Sequence, residues 1–302
     1  MVAQSPILQN NTGSEPITPL PAVPTQDPLR VALGERLFHD RRLSHNDTRD
    51  CSSCHDIRTN GASANPHDVT PEGQPVPLNT PTVFNTSLNF RLNWEGNYRS
   101  LEDETEQSLR NPLIMASSAD EAAQKLDADP EMVKLFRDAY GRGPDRAAVL
   151  DAIATYERSL VTPGSRFDRW LAGDAGAITE EELGGYQLFK SLGCISCHQG
   201  VNVGGNLFQR HGIFHPLGSP EPQLLRVPSL RNVTATAPYF HDGSAATLPE
   251  AVKTMGIAQL DRQLTDQQIA AIVAFLNTLT GNYRDRTVRP AAVTQRAAGA
   301  VP

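Results

Sequence analysis

Nowhere in its 302 residues does the chain carry an apolar run near the roughly 20 residues that take a helix across a bilayer, so no membrane span is expected. It has no basic excess either: 27 Lys and Arg face 34 Asp and Glu, a net charge of −7. That balance gives no reason to expect nucleic acid, whose phosphates need a basic surface. It leaves room for a basic redox partner to dock. Aromatic residues are few, at 6%, and the hydrophobic share is a modest 39%. No segment of any length shows the two-residue period of a strand, which makes the expected class all-α. The N-terminus lacks the charged-then-apolar pattern of a secretory signal; after Met1 it runs into a polar, Pro-rich stretch. Cysteine is scarce, with four in all.

What is present accounts for all four. Cys51-Ser52-Ser53-Cys54-His55 and Cys194-Ile195-Ser196-Cys197-His198 are two copies of Cys-x-x-Cys-His, the signature of covalent c-type haem attachment. The thiols become thioethers on the haem, and the histidine is placed to bind iron from one side. A single zinc held by both pairs would call for a spacing of roughly 15–20 residues; these pairs lie far apart. A redox dithiol would occur once and would not need the fixed histidine. Two haems in one chain also fit 23 Pro and 22 Gly, since porphyrin faces then supply core that side chains do not. Bacterial c-type haem is attached outside the cytoplasmic membrane, so the sequence is expected to be a mature exported form with an added initiator Met, periplasmic or at the surface.

Length suggests two domains of ordinary size. Residues 1–26 read as a flexible leader or wrapping arm. The first cytochrome domain spans 27–163. Its first helix opens at Asp27-Pro28, and a long loop follows from Asp56 to about Asn93. Further helices are expected near Leu101–Arg110, after the Ser118-x-x-Glu121 box, after Asp129-Pro130, and from Pro144-Asp145. Thr162-Pro163-Gly164-Ser165 is the expected boundary. The second domain, 164–283, opens its main helix at Thr179-x-x-Glu182. It has a loop from Gly200 to Gly243 and a last helix from Thr265-x-x-Gln268 to Gly281. Residues 284–302 read as a tail.

Several runs resemble the bacterial dihaem cytochrome c peroxidases. They include Leu37-Phe38-His39-Asp40-Arg41-Arg42-Leu43-Ser44, Asn79-Thr80-Pro81-Thr82-Val83-Phe84-Asn85, Ser165-Arg166-Phe167-Asp168-Arg169-Trp170 and Thr236-Ala237-Pro238-Tyr239-Phe240-His241-Asp242-Gly243. The likeness spans residues 28 to about 282, and the MauG group belongs to the same superfamily. It implies two all-α cytochrome c domains with long loops. The second haem would be the electron-receiving one, ligated by His198 and Met255; Met255 could instead be a core gap-filler. MauG proteins have Tyr at that place. The first haem would react with peroxide, with His55 as proximal ligand and His67 as the candidate distal ligand or else a solvated loop residue. Trp94 would lie between the haems, unless it is an ordinary core Trp. A calcium ion between the domains would take Asn79, Thr236 and Pro238, although Asn79 could simply serve a turn.

One departure stands out. Gln107 is taken to match a family glutamine. Where the peroxidases have Asn-Pro-x-Glu-Met this chain has Asn111-Pro112-Leu113-Ile114-Met115, and Ile114 cannot relay a proton. Glu95, Glu104, Glu106 and Asp120 are alternative acids. The resemblance therefore implies a peroxidase that reduces hydrogen peroxide with electrons from a small cytochrome or copper protein. The alternatives are a MauG-like oxidase of a partner protein acting through a two-haem high-valent state, and a non-enzymatic dihaem carrier. Oligomeric state is left open, a homodimer included.

Overall fold

The structure is a computed structural model that describes residues 15–291. Its helices are α1 (Pro28–Phe38), α2 (Leu101–Arg110), α3 (Ala119–Asp127), α4 (Pro130–Tyr140), α5 (Arg146–Ser159), α6 (Arg166–Leu171), α7 (Glu180–Ser191), α8 (Leu248–Leu260) and α9 (Asp266–Asn277). The caps read from sequence are in place. Asp27 accepts from Leu29 N at 2.9 Å, and Thr179 and Thr265 each form a reciprocal capping box. At Ser118 only the hydroxyl-to-backbone bond forms, because the Glu121 carboxylate is taken by His45 and Lys125. Helices α6 and α8 had no separate sequence signal beyond their capping residues, Ser165 and Thr247.

The all-α reading holds with small exceptions. Strands β1 (Phe208–Arg210) and β2 (Leu224–Arg226) pair antiparallel within the second long loop. Strands β3 (Asn282–Tyr283) and β4 (Arg286–Thr287) form a hairpin whose two turn residues, Arg284 and Asp285, both have positive φ, as a type I′ turn requires. Elements of two or three residues are too short to show a period.

Each half is built on one close helix crossing. In the first, α1 meets α5 across Gly34, where an added Cβ would lie 2.0 Å from Ala152 O. In the second, α7 meets α9 across Gly185, where it would lie 2.0 Å from Ala271 O. Phe38 then packs on Tyr156 at 5.4 Å between ring centroids, and Phe189 on Phe275 at 5.2 Å. Helices α3 and α4 belong to the first half alone and enlarge its apolar cluster.

The chain ends cross over. Ile17 is buried in the cluster of the second half, and Glu15 accepts from the Tyr186 hydroxyl at 2.6 Å. The described part of the leader is thus a wrapping arm. Val288 and Tyr283 pack into the cluster around Phe38 and Phe84 in the first half, and Arg284 pairs with Glu35 on α1. Residues 284–288, expected to open a tail, are packed against the first half instead. Residues 1–14 and 292–302 lie outside the described residues. The expected boundary is no exposed linker: Thr162 and Ser165 are each 1% exposed.

Candidate haem sites

Both Cys-x-x-Cys-His motifs adopt the same form. A single 3-10 turn covers Cys51–Ser53 and Cys194–Ser196, and the histidine amide closes back on the first cysteine carbonyl at 3.0 Å in each. His55 Nδ1 donates to Gly61 O at 3.1 Å and His198 Nδ1 to Val203 O at 3.4 Å. Committing Nδ1–H to a carbonyl fixes the tautomer and frees the Nε2 lone pair for a metal. Burial lowers both imidazole pKa values, that of His198 to about 4, which keeps them neutral. Gly204 lets backbone lie against the His198 ring; a Cβ there would be 2.2 Å from Pro228 O.

Burial pushes the Cys51 thiol well up, Cys54 to about 12 and Cys194 to about 11. Thiols held neutral in this way are unlike the low-pKa thiolates of redox dithiols and zinc sites. No cluster of three or more His, Cys, Asp or Glu able to hold a metal ion occurs among the described residues. The motifs thus fit covalent haem.

The halves repeat further than the motifs. Asn85 and Asn232 both sit in the left-handed region, φ 62° and 60°, at the head of a 3-10 turn. Both donate from Nδ2 to the Thr162 hydroxyl at 2.9 Å. Their amides bond Leu160 O, at the C-cap of α5, and Leu279 O, one residue past the C-cap of α9. At equal distances beyond them, Leu92 pairs with Tyr98 and Tyr239 with Ala245. The loops then reach the N-caps of α2 and α8, Ser100 and Thr247.

This repeat shows what is opposite what. Trp94 and His241 occupy equivalent places, and their rings meet edge to face at 6.4 Å. Trp94 Nε1 donates to Asn79 O at 2.8 Å, while Asn79 N donates to His241 O at 2.8 Å. Trp94 therefore lies on the seam between the halves. Counted from the two caps, Met255 on α8 corresponds to Ser108 on α2, and Ala251 to Glu104. Counted from Leu279 and Leu160, Leu276 corresponds to Glu157. Met255 is half-buried and outside the apolar clusters, whereas Met115 and Met132 are buried within the first.

Other expected residues fall less neatly. Gln107 is exposed and lines an open cleft of about 470 Å³ with Tyr98, Arg91, Arg99, Arg110 and Arg146. On the same helix it is Glu104 whose charge reaches Cys51. Ile114 packs onto the first apolar cluster, as does Cys51. His67 Nδ1 donates to Val76 O at 2.8 Å inside its loop. The Asn79 amide donates to Asn65 O and Pro66 O. Among the described residues, Asn79 Oδ1 and the Thr236 and Pro238 carbonyls accept no hydrogen bond, so three oxygens stay uncommitted. Sequence reasoning missed Glu157, a single carboxylate inside a helical pattern, and the Thr162 junction, whose partners are far apart in sequence.

No described helix is long and apolar enough to cross a membrane. The description "Di-haem cytochrome c peroxidase" matches residues 28–176, and "Cytochrome c" matches 184–280. The cytochrome c551 peroxidase of Nitrosomonas europaea is 39% identical over 289 residues, covering 90% of this chain and 86% of that one. The methylamine utilization protein MauG of Methylorubrum extorquens is 30% identical, covering 91% and 83%. A crystal structure of a MauG-like protein associated with microbial copper homeostasis superposes with a TM-score of 0.74 at 26% identity, covering 91% of this chain and 96% of that one. With these relatives and two haem motifs set in matching halves, the chain belongs to the dihaem cytochrome c peroxidase and MauG family.

Proposed function

We propose that the chain reduces hydrogen peroxide to water with electrons from a small cytochrome or copper protein. The reading rests on one observation: α8 offers Met255 where α2 offers Ser108. A thioether ligand with His198 suits a high-potential, electron-accepting haem. A half with only the Ser108 hydroxyl at that place would leave its haem without a thioether ligand, as a peroxide-reacting haem requires. The haems supply the one-electron chemistry; the chain fixes their histidines, separates their environments and carries charge across the Trp94–His241 contact. His67, on the loop after the first motif, is the candidate distal ligand that would move away on activation. Asn79 Oδ1 with the Thr236 and Pro238 carbonyls suits a calcium ion at the seam. Covalent haem implies export, hence a periplasmic location.

A second reading, MauG-like oxidation of a partner protein, is favoured by Ile114, since slow peroxide turnover preserves an oxidised state; Met255 opposes it. Steady-state peroxide turnover with a reduced small cytochrome separates the two. Turnover supports the peroxidase. A persistent oxidised state without donor turnover supports partner oxidation.

A further inference from the structure

Resting on the peroxidase reading, the first site still needs an acid, because Ile114 presents only hydrocarbon. We propose that Glu104 and Glu157 are that acid: the two carboxyls hold one proton between them beside the first haem and give it to the leaving oxygen of peroxide.

Four observations carry this. Glu104 lies one helical turn before Ser108, the counterpart of the proposed iron ligand Met255, and accepts from its hydroxyl at 3.1 Å. If Met255 is a ligand of the second haem, Glu104 would stand on the corresponding side of the first. Glu157 is 7% exposed, and its Oε2 is buried without a hydrogen-bond partner. A buried, unpartnered carboxylate is costly, and the second half avoids it with Leu276 at the same place. Finally, α2 packs on α5, so the helices that carry Glu104 and Glu157 are neighbours.

The electrostatics agree. Burial raises Glu157 well above the usual carboxyl range, and the nearby Glu104 charge raises it further. Burial also raises Glu104. Two carboxyls that cannot both ionise share a proton. The other charged neighbours are Arg158 and Glu102, paired with each other. Tyr98 lines the cleft, its phenol pushed up first by burial and then by the Glu104 and Glu95 charges. It marks the route by which solvent restores the proton.

The balance is simple. The O–O bond of peroxide breaks with uptake of two electrons and two protons, and two waters leave. The electrons come from the reduced redox protein. One proton comes from the pair, and the other from solvent through the cleft.

The test uses the full dihaem protein and its Glu104→Gln, Glu157→Gln and Glu157→Gln/Ile114→Glu variants, each checked for haem content. Infrared difference spectra between neutral and alkaline pH should show a protonated-carboxyl stretch that each single variant removes. Peroxide cleavage in single variants should fall by about 10²–10⁴-fold, and the double variant should recover most of it. A merely structural pair would not be rescued by an acid at position 114. No carboxyl band in the native protein, or single variants that cleave peroxide at the native rate, would overturn the proposal. If Glu→Gln variants lose haem, Glu157→Asp, which keeps the acid, replaces them and should keep the band. A native protein that shows the band but turns over no donor fails the peroxidase reading and leaves the proton store standing.

Discussion

The first and second halves share a frame and differ in what it holds. Gly34 and Gly185 seat the same crossing, and Asn85 and Asn232 turn the same corner onto one hydroxyl. Upon that frame the first half places Ser108, Glu104, Glu157 and Trp94 where the second has Met255, Ala251, Leu276 and His241. One half is furnished with hydroxyl and carboxyl groups, the other with thioether and hydrocarbon. On the proposed reading, about four side chains on a shared frame would distinguish a peroxide-reacting site from an electron-accepting one.

Exchanging the distal residues should break that difference most severely. Met255→Ser should lower the high-potential couple by a sizeable part of the roughly 0.8 V that axial ligands command, and Ser108→Met should abolish peroxide binding at the first haem. Spectroelectrochemical titration and peroxide difference spectra read the two effects; a Met255→Ser protein with its native potentials would show that the thioether is not a ligand.

Next comes the residue before each corner asparagine, Phe84 in one half and Arg231 in the other. Arg231 is 1% exposed, pairs with Asp168 at 2.7 Å and donates to Thr18 O at 2.9 Å. Arg231→Met leaves Asp168 buried and alone and should cost about 3–5 kcal/mol, whereas Phe84→Leu should cost about 1 kcal/mol. Denaturant unfolding of the two variants compares them directly.

The Trp94–His241 contact joins the halves, and Trp94→Phe should slow electron exchange between the haems about tenfold, a barrier change of about 1.4 kcal/mol. Stopped-flow oxidation of the second haem after peroxide reaches the first is the measurement, and a native rate would remove Trp94 from the route.

The smallest effect concerns the hairpin strap. Arg284 lowers the Glu35 carboxyl below its ordinary range. The stabilisation is therefore present above the unfolded carboxyl pKa of about 4.3 and is lost as pH falls through the lower folded value. With both groups partly exposed, Arg284→Ala should cost under about 1 kcal/mol, and the cost should vanish in acid melts.

Much of the frame was legible in the sequence because its signals are local. Asp27, Thr179 and Thr265 announce helices within three residues of themselves, and the haem motifs are contiguous. The Thr162 junction was hidden because Asn85 and Asn232 reach it from far along the chain. Gln107 looked like the family glutamine by type, yet helical phase turns it to solvent while Glu104 faces inward. Glu157 was invisible for the opposite reason: on sequence it is one more charged residue in a helix, and only its burial without a partner sets it apart.

The crossed ends also set an order of events. A chain that is made or exported N-terminus first presents its first cysteine pair early, but residues 283–288, which seal the cluster around Phe38 and Phe84, arrive only after all nine described helices. The arm at Ile17 is available from the start and waits for α7 and α9 to enclose it. Haem can therefore be attached to the first motif while that half is still unsealed. The half that emerges first is the last to close.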